Sequence, residues 1–165
     1  MGSILRTTTV HGRVYAEPRS DHAEPADIPL ALEQKIAERV DQELKQCLNH
    51  AAEGLHWVGP DGTILWANQT ELDLLGYTLD QYIGHNIAEF HVDAPVIEDM
   101  LTRLRRGETL LEYEARLRRK DGSIRYVLVN SNVLWRGDEF LHTRCFTRDV
   151  TDRRQADELA RRLAD

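Results

Sequence analysis

Apolar residues recur at spacings of three and four from Leu32 through Ile36, Val40, Leu44, Cys47, Leu48 and Ala51, with Glu, Lys, Arg and Gln between them. That period predicts an amphipathic helix over residues 30–53, with Asp27 as its N-cap and Gly54 as its stop. A stripe this long must be covered, by the sheet of the domain that follows or by its copy in a second subunit. Ile36, Val40, Leu44 and Leu48 are therefore candidates for a dimer interface. Residues 1–29 lack the period and carry Pro18, Pro25 and Pro29, which reads as a flexible arm with a small strand pair over Thr9–Tyr15.

From Leu55 the pattern changes. Two short strands, Leu55–Val58 and Thr63–Ala67, are joined by the turn Gly59-Pro60-Asp61-Gly62. Short helices follow over 69–75, closed by Gly76, and 78–83, closed by Gly84. A helical turn at 87–90 and a longer helix over 93–105, ended by Gly107, come next. Strands at 110–119, 123–135 and 139–149 complete a domain spanning 54–150. The order predicts an α+β fold: a five-stranded antiparallel sheet with helices gathered on one face.

Alternation along the last strands puts Tyr113, Ala115 and Leu117 on one face, with Val127, Val129, Ser131 and Val133, and with Leu141, Thr143, Cys145 and Thr147. This inward set is apolar and small, with Ser131, Thr143 and Thr147 as its polar handles. No carboxylate falls on it, which counts against an enzyme built round a buried acid. The opposite face mixes Tyr126, Leu128 and Phe146 with charges, and the helix over 30–53 is expected to cover it in part.

Residues 151–165 turn helical again, with a narrow stripe of Ala156, Leu159, Ala160 and Leu163. A stripe this thin suits a two-stranded coiled coil, so Leu159 and Leu163 join the dimer candidates. The pattern stops in mid-course, as expected of a piece that precedes an output domain.

Composition narrows the classes. The chain has 165 residues, 41% hydrophobic and 30% charged, enough for one domain with helical extensions. A net charge of −7 argues against nucleic acid as a partner. No apolar run reaches membrane length and no signal peptide is visible. Cys47 and Cys145 match no zinc or redox spacing, and a reduced, cytoplasmic setting is expected. Seven histidines are scattered without ligand-like pairing, so no metal site is expected. No nucleophile elbow, Walker loop or zinc-protease motif occurs, and no catalytic residue is assigned. Arg136-Gly137-Asp138-Glu139-Phe140 looks like the signature of diguanylate cyclases but reads as an ordinary hairpin turn.

The run Asp61-Gly62-Thr63-Ile64-Leu65-Trp66-Ala67-Asn68 is followed by Leu74-Leu75-Gly76-Tyr77, then Arg119-Lys120-Asp121-Gly122, then Arg148-Asp149-Val150-Thr151-Asp152-Arg153-Arg154. In that order these pieces resemble a PAS domain with its C-terminal PAC exit. The resemblance implies a homodimeric sensory module of a bacterial sensor protein, regulating a C-terminal output domain such as a histidine kinase. A ligand-free docking and dimerisation scaffold is the alternative. The family's Asp-x-Thr coupling motif falls on Asp149-Val150-Thr151. Candidates for the ligand pocket are Trp66, Asn86, Ile87, Leu117, Val127, Val129, Cys145 and Thr147.

Within that resemblance, the light-sensing branch carries Gly-x-Asn-Cys-Arg, where this chain has Gly84-His85-Asn86-Ile87-Ala88. Ile87 replaces the adduct-forming cysteine, and Leu117, Val127 and Thr147 stand where that branch places amides, so flavin is not expected. Haem is not expected either: the helix over 93–105 offers Ile97 and no histidine, leaving only His91 beside it. A small apolar ligand stays open.

Overall fold

A computed structural model describes residues 7–10, 13–16 and 28–165. The chain divides into two compact units, one ending at Arg39 and one beginning at Val40. In the first, β1 (Thr7–Val10) and β2 (Arg13–Ala16) pair antiparallel, with Thr8 opposite Tyr15. Residues 1–6, 11–12 and 17–27 of the segment read as a flexible arm, the expected cap Asp27 among them, lie outside the described residues.

Helix α1 spans Leu30–Asn49 and buries none of its residues. Val40, Leu44 and Leu48 stay exposed, so this part of the stripe finds no cover within its own unit. Phe146, on the outer sheet face that the helix was expected to shield, is also exposed. The helix ends at Asn49, short of the expected stop, and Gly54 opens a strand instead.

That strand, β3 (Gly54–Val58), begins a five-stranded antiparallel sheet with β4 (Ile64–Ala67), β5 (Leu110–Arg118), β6 (Ile124–Arg136) and β7 (Glu139–Asp149). The spatial order is β4-β3-β7-β6-β5, so the chain leaves one edge at β4 and re-enters at the other edge with β5. The connection carries α2 (Gln69–Leu75), α3 (Leu79–Tyr82), a 3-10 turn (Ile87–Phe90) and α4 (Ala94–Arg105). Ile64, Leu72, Leu75, Ile97, Met100 and Leu104 from this stretch pack with Leu110, Leu117, Val127 and Val129 in one apolar core. Arg116 grips Asp93 through two bonds, 2.8 and 2.6 Å, fastening the start of α4 to β5.

Local chemistry explains the stops. Asn68 caps α2 by accepting from the Glu71 amide, and Gly76 closes it at φ 77°, a left-handed turn that costs glycine little. Asn86 starts the 3-10 turn by accepting from the Ala88 amide. The strands deviate from clean alternation at three places, one of them between Leu134 and Trp135 near the β6–β7 hairpin and two on the edge strands. In β4, Trp57 pairs with Trp66 but Val58 pairs with Ile64, which leaves Leu65 as a bulge. In β5 a second bulge lies between Leu110 and Tyr113, and Glu112 there adopts φ 46°. The hairpin Arg136–Glu139 is a plain turn with an Arg136–Glu139 ion pair at 3.2 Å.

The exit helix α5 (Thr151–Ala164) leaves directly from β7. Leu159 and Leu163 are exposed on it, and Arg162 bonds Glu158 one turn back.

Candidate functional site

The inner sheet face and the helices over it enclose a cavity of about 20 Å³. That is room for a water molecule, far below the several hundred cubic ångströms of a cofactor pocket. Of the pocket residues expected from sequence, Ile87, Leu117, Val129, Cys145 and Thr147 line it.

Three do not. Trp66 is carried by the Leu65 bulge onto the side of Trp57, 5.0 Å between ring centroids, and Trp57 in turn stacks on His142 at 4.3 Å. One inserted residue flips the side-chain phase of a strand, and Trp66, taken as a candidate for its place just ahead of the first internal helix, lies off the cavity. Asn86 is exposed and works as a clamp, its amide nitrogen donating to the Asp61 carbonyl at 3.2 Å. Val127 is fully buried in the core but sits outside the cavity lining.

The cavity is more polar than the strands alone imply. Glu71, wholly buried, reaches in from the first turn of α2, which corrects the expectation that no carboxylate faces inward. The acid comes from a helix, where strand alternation has no say. Tyr82 donates its hydroxyl to Glu71 Oε1 at 3.0 Å. His56 Nδ1 lies 3.2 Å from the same oxygen, close enough to pair but out of line for a good hydrogen bond. Gly54 makes the room: a Cβ there would stand 2.1 Å from Glu71 Oε2.

His56 is the register partner of Cys145 across β3 and β7. The Cys145 sulfur also sits 2.9 Å from Ser131 Oγ and 3.2 Å from Thr143 Oγ1. Burial works against a charge on His56, but the Cys145 and Glu71 charges outweigh it and hold its pKa well above the ordinary imidazole value. Burial likewise opposes ionisation of Glu71, and the His56 charge more than offsets this, leaving the carboxyl below its ordinary value. Burial and then the Glu71 charge push the Tyr82 phenol well up. For Cys145 burial raises the pKa, the His56 charge lowers it, and the net direction is down. His91, the one histidine expected near α4, also lines the cavity; burial and the His56 charge bring it down to about 4.

Four buried polar atoms on this cavity have no aligned hydrogen-bond partner: His56 Nδ1, Glu71 Oε2, His91 Nδ1 and Thr147 Oγ1. Buried polar groups in native proteins are almost always paired. These four atoms give the otherwise apolar cavity a polar side.

The second address is where β7 passes into α5. Asp149 Oδ1 accepts from the Thr151 hydroxyl at 2.6 Å and from the Thr151 amide at 2.9 Å. The Thr151 hydroxyl accepts in turn from the Tyr126 amide at 2.9 Å. Arg125 reaches both Asp149 and Asp152, at 3.5 and 3.7 Å, and Arg154 lies 4.6 Å over the Tyr126 ring. Thr151 is nearly fully buried, so the helix start is pinned to the middle of the sheet.

A sheet of this order, crossed by short helices and ending in a pinned exit helix, defines a sensory domain. A PAS domain model matches residues 53–152, and the chain belongs to the PAS domain family. The PAS domain of an HTR-like protein from Haloarcula marismortui is similar at 25% identity and a TM-score of 0.64, over 72% of this chain and 98% of that one. An RNA-binding Light-Oxygen-Voltage receptor is similar at 21% identity and 0.62, over 89% of this chain and 41% of that one. A PAS domain from a two-component sensor histidine kinase is similar at 20% identity and 0.58, over 68% of this chain and 98% of that one. No curated protein matches significantly in sequence.

The cavity can be tested against the cofactors of such domains. Ile87, Leu117 and Thr147 line it and offer a polar ring one hydroxyl between them. For haem, His91 supplies a nitrogen facing the cavity, but the side chains leave no space for a macrocycle. With the side chains as placed, the interior has no open volume of cofactor size. No described helix is long and apolar enough to cross a membrane, and the described residues hold no metal-binding cluster.

Proposed function

We propose that this chain is a homodimeric PAS sensory module, not itself an enzyme, that regulates a C-terminal output domain through α5. The observation that carries this reading is the Asp149–Thr151–Tyr126 junction. Three hydrogen bonds fix the first turn of the exit helix to β6 and β7. A helix held by so few bonds changes angle or register when they rearrange, which is what a downstream coiled coil reads.

The exposed stripes support dimerisation. Ile36, Val40, Leu44 and Leu48 on α1, with Leu159 and Leu163 on α5, are large apolar residues left open at steps of four, one side of each helix. A histidine kinase is the output we favour, and the cytoplasm the setting; the similar PAS domain from a sensor histidine kinase points the same way. The ligand-free scaffold is the second reading, and the nearly filled interior speaks for it. The orphaned polar atoms speak against it, because a purely structural interior would have no cause to hold them.

The test joins the chain in helical register to a histidine-kinase core and follows autophosphorylation. Thr151→Ala should change the rate several-fold and Thr151→Ser should restore it. Equal rates in all three would overturn the coupling role. Sedimentation should show a dimer that Leu44→Asp weakens; a monomer at all concentrations would remove the dimer from the proposal.

A further inference from the structure

We propose that Cys145 is a peroxide-reactive thiolate, held in a buried Cys145–His56–Glu71 relay that opens onto the internal cavity. The inference goes beyond the signalling reading and does not need it, since a monomer without an output domain would show the same chemistry.

The geometry supplies each requirement. His56 and Cys145 are directly paired residues of neighbouring strands, and both line the cavity. Glu71 Oε1 lies 3.2 Å from His56 Nδ1, near enough for its charge to favour a charged imidazole beside a thiolate. The hydroxyls of Ser131 and Thr143, 2.9 and 3.2 Å from the sulfur, can each donate to an anion there. The charge on His56 also favours the ionised sulfur. Reactive cysteines are those whose thiolate is stabilised in this way.

The cavity states the size and polarity of the reagent. Glu71 and Thr147, both essentially fully buried, present a carboxylate oxygen and a hydroxyl to it, neither with a well-aligned hydrogen bond. An occupant that donates and accepts hydrogen bonds within about 20 Å³ is water or a molecule scarcely larger. Hydrogen peroxide meets both conditions and enters through the local openings that admit buried water.

The step balances. The Cys145 thiolate attacks one peroxide oxygen, a sulfur–oxygen bond forms and the oxygen–oxygen bond breaks. The His56 imidazolium gives its proton to the leaving hydroxide, which departs as water. Sulfur loses two electrons, the peroxide gains them, and the product is a sulfenic acid. Its oxygen would stand in the cavity, beside Glu71 and Thr147. Thr147 and Asp149 follow on the same strand, so the product forms two side chains from the exit junction on that face of β7.

Cys47, exposed on α1, is an internal comparison. The whole chain is treated with hydrogen peroxide, then denatured into a sulfenic-acid trap, and each cysteine is quantified by mass spectrometry. Cys145 should be oxidised at least about tenfold faster than Cys47 at neutral pH, because an ordinary thiol is only a few per cent ionised there. Iodoacetamide, too bulky for the cavity, should give the reverse order on the native chain. His56→Gln should slow Cys145 at least about fivefold and leave Cys47 unchanged. Equal rates at the two cysteines, or a rate indifferent to His56, would overturn the proposal. If His56→Gln does not fold, the thiolate absorbance of the native chain decides: one thiol ionised below neutral pH supports the relay, and none refutes it.

Discussion

Glu71 Oε1 lies 3.2 Å from His56 Nδ1, with both side chains shut away from solvent. Two groups that would each be costly to bury alone are tolerated because they neutralise one another. The pair gives stability a direction with pH. Glu71 has a lowered folded pKa, so its contribution is present above the ordinary carboxyl value of 4.5 and is lost as pH falls through the folded value. His56 has a raised one, so its contribution is complete below 6.5 and is lost as pH rises through the folded value.

His91 works in the opposite sense. Its folded pKa of about 4 lies below the ordinary 6.5, so the unfolded chain takes up a proton more readily and stability is lost between those values as pH falls. The charged groups facing it are His56, Glu71 and Asp93. His91→Asn removes this loss. Denaturant unfolding at pH 7.5 and pH 5 should shift in the variant's favour by about 2 kcal/mol on acidification relative to the parent. Parallel pH profiles would show that His91 does not titrate as described.

Gly54→Ala tests the packing behind the acid. The added methyl would stand 2.1 Å from Glu71 Oε2, and the next closest atom is Glu71 backbone. Glu71 must move off His56 or the strand must shift, at a cost of about 1–3 kcal/mol. Thermal unfolding should show the loss, and the Tyr82 phenol should titrate closer to its ordinary value once the carboxylate withdraws.

Thr151→Ala removes a donor to Asp149 and an acceptor from the Tyr126 amide. Leaving that amide unpaired should cost about 1–3 kcal/mol, and Thr151→Ser should recover most of it. Unfolding by urea measures both. An alanine variant as stable as the parent would mean that the junction is not held by this hydroxyl.

Dimer formation should depend on the α1 stripe. Val40→Asp puts a charge on an exposed apolar position and should leave the monomer's fold intact, as read by circular dichroism. Sedimentation should record at least about a tenfold weaker dimer, since an unpaired charge in an apolar seam costs more than about 1.4 kcal/mol.

Particular residues show how far the chain could be read in advance. Alternation placed Leu117, Val129, Cys145 and Thr147 on the cavity because the inner parts of β5, β6 and β7 are regular, and a period of two then fixes the face. Trp66, taken as a candidate for its place just ahead of the first internal helix, lies off the cavity, and the one-residue bulge that carries it there leaves no mark in a strand of four residues. Glu71 was passed over because the search for an inward carboxylate followed the strands, and Glu71 lies on the short helix over 69–75. Asn68 does cap the helix, yet the Glu71 side chain turns inward. The usable signal was Gly54, read as a helix stop, whose missing side chain makes space for that carboxylate. Asn68 itself spans further than a cap, its amide nitrogen donating to the Leu48 and Glu53 carbonyls at 2.7 and 3.1 Å.

Thr147 lines the cavity and Asp149 stands two residues on along β7, so a change in the buried cluster should reach the exit helix. Amide hydrogen exchange of the whole chain, compared with Glu71→Gln, tests it most directly. The account predicts that amides of residues 151–154 exchange at least about fivefold faster in the variant, equivalent to roughly 1 kcal/mol of lost protection. Unchanged exchange there, with altered exchange around residue 71 itself, would contradict it.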